Sequence, residues 1–419
     1  MADFAVSVFS CMRVGPDDVP DMVAFGDVVP GGPGAGAGGY SFMSSLPPGW
    51  TLTRASGATY RPSATQVVSV GNNVGRFEPA GLLLEPQSQN VSTPHRATAG
   101  FGWGQQTTGS GTITPTPNYA NGPDGTQTAT LFSFYRTVSG DFANQLLVCN
   151  NNTQLIVPAS LWVMAADAPS IGHVIDVAQY DPHASGYINL GTVTLTGQWQ
   201  RKFLGLTPYS QTGQSGYNPL IFGYIGSNSP QTGTTNVLVW GTQAELGTIV
   251  QSSTILSGDT PVTRAADALV GTPPTWWQNP TGFTVVVDSD AASNITDIQC
   301  GVSAGSFGTS LYTSSDASGN VGLTSAITGG GATASFPYLP APGNTYKLGL
   351  SIQPGGTTLA HINGANELSV NSGTPTTFTM ITPHGCPWGG GVANNPGHLK
   401  RVRLWPVPLS SAALTVATT

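Results

Sequence analysis

Glycine or proline interrupts this chain so often that a long helix has almost nowhere to form: 55 glycines and 33 prolines fall among 419 residues. Both suit turns and are costly inside helices, glycine through backbone entropy and proline through its fixed φ and missing N–H. Between them lie short apolar runs of strand length. The clearest are Leu146–Val148, Leu161–Met164, Val174–Val177, Thr192–Leu195, Leu220–Phe222 and Val237–Trp240. A second series runs through Phe283–Val287, Ile295–Cys300, Lys347–Ile352, Leu359–Ile362, Thr377–Ile381 and Leu399–Trp405. Many short strands separated by Asn, Gly, Pro and Ser read as β-sandwiches or barrels. Only the tail, Ser410 to Val416, has the composition of a short helix.

Charge narrows the partners. Asp, Glu, Lys and Arg make up 8% of the chain, against about 25% in ordinary globular proteins. The net charge is −7, and the densest basic group is Lys400, Arg401 and Arg403. Nucleic acid binding needs a broad basic face, which argues against it here. An apolar fraction of 39% and nine tryptophans argue against disorder. No run of about 18 apolar residues is present, so no membrane insertion is expected, and the N-terminus carries no signal-peptide pattern. Cys11, Cys149, Cys300 and Cys386 form no CxxC pair; Cys149 and Cys300 sit in apolar runs and read as buried thiols. A surface solubilised by neutral polar groups suits a protein packed against copies of itself.

The expected fold class is all-β, with tandem β-sandwich (jelly-roll) domains behind an irregular N-terminal arm. Residues 1–75 read as a docking arm, containing the Gly-rich stretch Gly31–Gly39 as a linker. Residues 76–270 form the first sandwich, and 271–419 the second, after the Pro-rich break at Gly271–Pro274.

Six segments carry a resemblance. They are Thr53–Tyr60 followed by Arg76-Phe77; Gly81–Gln87 closing with Asn90; Pro123–Thr126 with Thr130; Trp199-Gln200-Arg201; Val239–Gln243 with Glu245; and Val262–Asp267. Together they resemble the carbohydrate-binding-module-like jelly roll of phage tail and head-fibre structural proteins. The C-terminal part, closing with His398–Pro406 and Leu409-Ser410, resembles a concanavalin A-like (laminin G-like) domain. The resemblance implies virion context and a surface location, with trimers favoured among homo-oligomers, but transfers no activity, since function resides in sites and not in folds.

Chemical motifs are sparse. Gly301-Val302-Ser303-Ala304-Gly305 matches the nucleophile-elbow pattern, but Ser306–Ser310 is a poor continuation for the helix that motif requires. The six histidines never fall at metal-ligand spacing. Glutamate occurs at Glu78, Glu85, Glu245 and Glu367 only, and no carboxylate pair of the kind glycosidases use is picked out. Asp288-Ser289-Asp290 and Asp316–Asn320 offer oxygen ligands that suit a structural calcium, but read more simply as turns; no other metal or cofactor is expected. Trp162, Trp199, Trp240 and Trp405 lie in strand-like runs and read as core. Trp276-Trp277 reads as packing between the two domains. Trp388, within Gly385–Gly391 and followed by Asn394 and Asn395, is the ring most suited to stacking on a sugar, with the two amides as hydrogen-bonders.

The sequence therefore points to a non-enzymatic virion surface protein that anchors to other virion proteins through its N-terminal arm and binds host cell-surface polysaccharide. Two alternatives stay open: a purely structural capsid or tail decoration protein, and a polysaccharide-degrading virion enzyme.

Overall fold

The computed structural model describes residues 38–92, 103–147, 158–181, 186–205, 220–225, 231–246, 252–257, 260–272, 282–290, 297–304, 306–307, 310–315, 320–327, 332–337, 344–371, 378–383, 385, 393 and 397–419. Among these the fold is all-β apart from one 3-10 turn and one helix, as the sequence led us to expect. Every described strand pairing is antiparallel.

One sandwich is built from both ends of the described chain. Its first sheet runs Ala365–Asn371, Thr357–Ile362, Thr345–Ile352, Phe283–Asp290, Gly397–Trp405, Gly81–Leu84, Phe77–Glu78, with Gly38–Ser41 also on Gly397–Trp405. The second runs Trp50–Thr53, Ala268–Gly271, Met380–Thr382, Asp297–Ser303, Ser310–Ser315, Asn320–Ser325, Ala332–Pro337. Their inner faces share a core that includes Phe42, Leu52, Leu82, Val285, Val302, Leu350 and Val402. Trp50 lies edge-on to both Tyr40 and Phe42 in this core.

Local patterning explains these strands. Gly397–Trp405 buries Leu399, Val402 and Leu404 and leaves Lys400 and Arg401 half-exposed side by side. The alternation breaks there because a bulge shifts the register against Asp288 and Ser289. Phe283–Asp290 is buried along its whole length, since its outer side is covered by the C-terminal segment: Thr284 accepts from the Leu409 N–H and donates to the Val407 carbonyl. The expected terminal helix forms as Ser411–Thr418, capped by the Ser410 hydroxyl. It lies so close to the sheet that a Cβ on Gly349 would come 2.6 Å from Leu414 Cδ1.

The second sandwich is held between these two ends. Its sheets run Gln200–Gly205, Pro158–Ala165, Gly233–Leu246, Ala129–Arg136, Thr112–Ala120, and Gly186–Thr194, Val174–Asp181, Leu220–Tyr224, Ala143–Leu147, Trp103–Thr107. Phe132, Phe134 and Phe222 meet edge-on or stacked at its centre. The chain enters through Ser88–Asn90 and leaves through Val262–Arg264, and these two short strands pair with each other.

Strand pairing thus differs from the linear division drawn at 75/76 and 270/271. Gly38–Ser41 and Trp50–Thr53, expected within the arm, belong to sheets otherwise built mainly from residues after 268. Gly38 and Gly39, expected in a linker, pair with Leu404 and Arg403. The remainder of the Gly-rich stretch lies outside the described residues, as does the arm before it.

Candidate functional site

The two crossing strands form a neck, and charge gathers there. Arg54 follows Trp50–Thr53, Arg76 precedes Phe77–Glu78, Glu85 follows Gly81–Leu84, and Asp267 precedes Ala268–Gly271. Sheet pairing fixes these backbones, so the side chains converge in a buried network. Arg54 Nη1 lies 2.9 Å from Asp267 Oδ1, and Arg76 bridges Glu85 and Asp267. Arg264 Nη1 lies 2.6 Å from Glu85 Oε2. Ser253 ties into the same carboxylate, its hydroxyl donating at 2.7 Å while accepting from Arg76 and Arg264.

Burial by itself would raise the Glu85 carboxyl; Arg264, Arg76 and Ser253 outweigh it and hold the group at about 2. Three guanidiniums therefore face two carboxylates. Arg54 is depressed, mainly by burial, with Arg76 and Arg264 adding repulsion against the pull of Asp267. The Nε atoms of Arg76 and Arg264 are buried with no hydrogen-bond partner.

Above this network opens a cleft of about 280 Å³. One wall is the hairpin Ala58–Tyr60 and Val68–Val70; the other is Thr254–Leu256 and Val262–Arg264. Ala58, Val70, Ile255, Leu256 and Val262 give apolar surface, and five hydroxyl side chains, including Ser69 and Thr263, give hydrogen-bonding groups. Among the described residues Arg264 is the one charged group in the lining, and none of them brings a carboxylate to the cleft.

Behind the cleft wall, Glu245 is buried and held by Ser88, Gln243 and Ser252. Arg201 reaches the Ser252 carbonyl at 2.8 Å and lies 4.9 Å over the exposed Phe203 ring. Burial brings its guanidinium down to about 10. Trp162 donates to Thr254 and Trp240 to Thr128.

A second polar feature lies on the outward face of the central sandwich. Tyr187 and Gln106 stand on opposite edge strands of a five-stranded sheet, which on a flat sheet are about 19 Å apart. They are hydrogen-bonded, and Tyr187 stacks on Phe142, so this face is concave. Asn144 is fully buried on it, with neither amide atom partnered.

The structure places the sequence-derived candidates as follows. Trp388, Asn394 and Asn395 lie outside the described residues, as do Trp276, Trp277 and residues 316–319. Ser303 is buried at the end of Asp297–Ser303 and donates to the Ser306 carbonyl, so it is no exposed nucleophile. Asp288-Ser289-Asp290, expected as a turn or calcium loop, closes a strand instead. Its carboxylates are used by neighbouring strands: Asp288 by Arg403, Asp290 by His398. His398 also meets Glu78 at 3.2 Å. Burial would lower this imidazole, but Asp290 and Glu78 raise it to about 9. Among the described residues no group of three His, Cys, Asp or Glu could hold a metal ion, and no helix is long and apolar enough to cross a membrane. Trp162 and Trp240 are core, as expected; Trp199 and Trp405 are only half-buried. Cys300 is buried and Cys149 lies outside the described residues.

In the sequence the neck residues stand out as parts of the resemblance, and Glu85 and Glu245 also as two of its four glutamates. Arg54, Arg76, Glu85, Asn90, Arg201, Glu245, Arg264 and Asp267 all belong to the six quoted segments, and the structure brings them to one place. Their signal was present as charge flanking apolar strands in a chain with little charge to spare.

No family model matches the chain, and no curated protein matches it. Among solved structures, a Ruminococcus gnavus IT-sialidase CBM40 bound to α2,3 sialyllactose is 18% identical over 33% of this chain and 82% of that one, at a TM-score of 0.28. A CBM29-2 mutant complexed with mannohexaose is 9% identical over 39% and 87%, at 0.24. A SAP-like pentraxin from Limulus polyphemus is 13% identical over 36% and 81%, at 0.26. Overlap at this level says nothing about a site.

Proposed function

We propose that this protein is a non-enzymatic structural component of a bacteriophage virion surface, a fibre or decoration protein, that attaches to host cell-surface polysaccharide. The observation that carries the attachment role is the cleft at the neck. Its aliphatic walls suit the C–H face of a pyranose, and its ring of hydroxyls suits the sugar's own hydroxyls. Among the described residues its lining holds no carboxylate, whereas glycoside hydrolysis uses a pair; this supports binding over cleavage. A weak site gains strength from many copies on one particle, and a trimer anchored through the N-terminal arm fits this arrangement.

Two measurements test the proposal. Immunogold electron microscopy with an antibody against residues 280–419 is expected to label purified particles regularly. Unlabelled particles with abundant free protein in the lysate overturn the virion reading. A glycan array is expected to show binding that Thr263→Trp, placed on the cleft wall, removes. A blank array favours the purely structural alternative, and release of reducing sugar from bound polysaccharide favours the enzyme.

A further inference from the structure

Resting on the reading of the cleft as a sugar site, we infer that it selects a carboxylated pyranose, with the excess positive charge of the neck supplying the selectivity. Two observations carry this. Among the directly ion-paired groups under the cleft, Arg54, Arg76 and Arg264 face Glu85 and Asp267, so the cations of this cluster outnumber its anions by one. Arg264 both belongs to that network and lines the cleft, and its buried Nε has no hydrogen-bond partner. In surroundings shielded from water, an unmatched charge is felt more strongly than at an exposed surface. A carboxylate bound in the cleft supplies the missing anion. A neutral sugar of the same shape leaves the imbalance as it stands. Among the described residues the lining contains no acidic side chain to oppose the ligand's charge.

The volume agrees with this class. About 280 Å³ is at the small end of ligand pockets and takes one sugar unit, not a long chain. A terminal or branching acidic residue of a surface polysaccharide is the fitting form. Uronic acids and nine-carbon keto-acid sugars share the pyranose carboxylate, and the experiment separates them.

The full chain is titrated by calorimetry with methyl α-galacturonide and with the methyl glycoside of N-acetylneuraminate, each alongside its own neutral methyl ester. At least one acid is expected to bind ten-fold or more tighter than its ester, with the preference shrinking in 0.5 M salt as screening grows. The acid that shows the preference identifies the sugar class. Thr263→Trp and Ser69→Trp, on exposed positions of the two facing walls, are expected to abolish binding, with folding checked by circular dichroism. Acid and ester binding equally, both lost in these variants, overturns the charge selectivity and leaves the cleft as a sugar site. Binding that neither variant alters, or no binding by any of the four probes, overturns both.

Discussion

Ser88, on the way into the central sandwich, lies opposite Arg264, on the way out. That register brings the two crossing strands side by side, the condition under which one domain can sit inside another without disturbing it. The ion network at Arg264 locks the same point. Removing one member of a buried pair leaves an unmatched charge, which typically costs 3–5 kcal/mol. Glu85→Gln, which strips Arg76 and Arg264 of a shared anion, is expected to lower stability by about 3–5 kcal/mol in chemical denaturation. A loss under about 1 kcal/mol means that the network is not a main support of the neck.

Stability is expected to depend on pH at both ends. Glu85 titrates at about 2 when folded against an ordinary 4.5, so its contribution is complete above 4.5 and is lost as pH falls toward 2. His398 titrates at about 9 against an ordinary 6.5, so its contribution is complete below 6.5 and is lost as pH rises through 9. At about 1.4 kcal/mol per pH unit, each limb amounts to about 3 kcal/mol. Thermal unfolding across pH 2–10 is expected to peak between about 4.5 and 6.5. His398→Gln is expected to flatten the alkaline limb alone; an unchanged alkaline limb assigns it to another group.

Asn144 gives a prediction of the opposite sign. Its amide is fully buried and unpartnered, and such a group costs about 1–3 kcal/mol of desolvation. Asn144→Val, with a residue suited to strands, is expected to raise the melting temperature, by about 1 kcal/mol of stability. A fall shows that the amide is satisfied, and polysaccharide titration of the variant then tells whether a ligand does so.

Cys300 is expected to be chemically silent. Burial alone pushes its thiol up to about 12, so the reactive thiolate is scarce at neutral pH. Alkylation of native protein followed by peptide mapping is expected to leave Cys300 unmodified, with rapid labelling once the protein is unfolded. Rapid labelling of folded protein shows an accessible thiolate.

Legibility differed between levels. The runs at Leu161–Met164, Val237–Trp240 and Phe283–Val287 lie within strands that the structure extends to Pro158–Ala165, Gly233–Leu246 and Phe283–Asp290. Asp288 to Asp290 misled because Asp and Ser favour turns in isolation, whereas His398 and Arg403 on the neighbouring strand give these carboxylates partners. The neck cleft was illegible because its two walls come from residues 56–70 and 254–264, joined only through folding.

By itself the sequence determined the all-β class, the approximate places of twelve of the described strands and the C-terminal helix. These depend on local properties: turn residues, strand-length apolar runs and a capping serine. Only the tertiary structure decided that one sandwich is inserted into the other, that Leu82 lies opposite Leu399, and that eight scattered polar residues share one neck. Side-chain alternation tells a strand which face to bury but not which strand to join. That choice is made by long-range hydrogen bonding and by the partners that buried charged groups require.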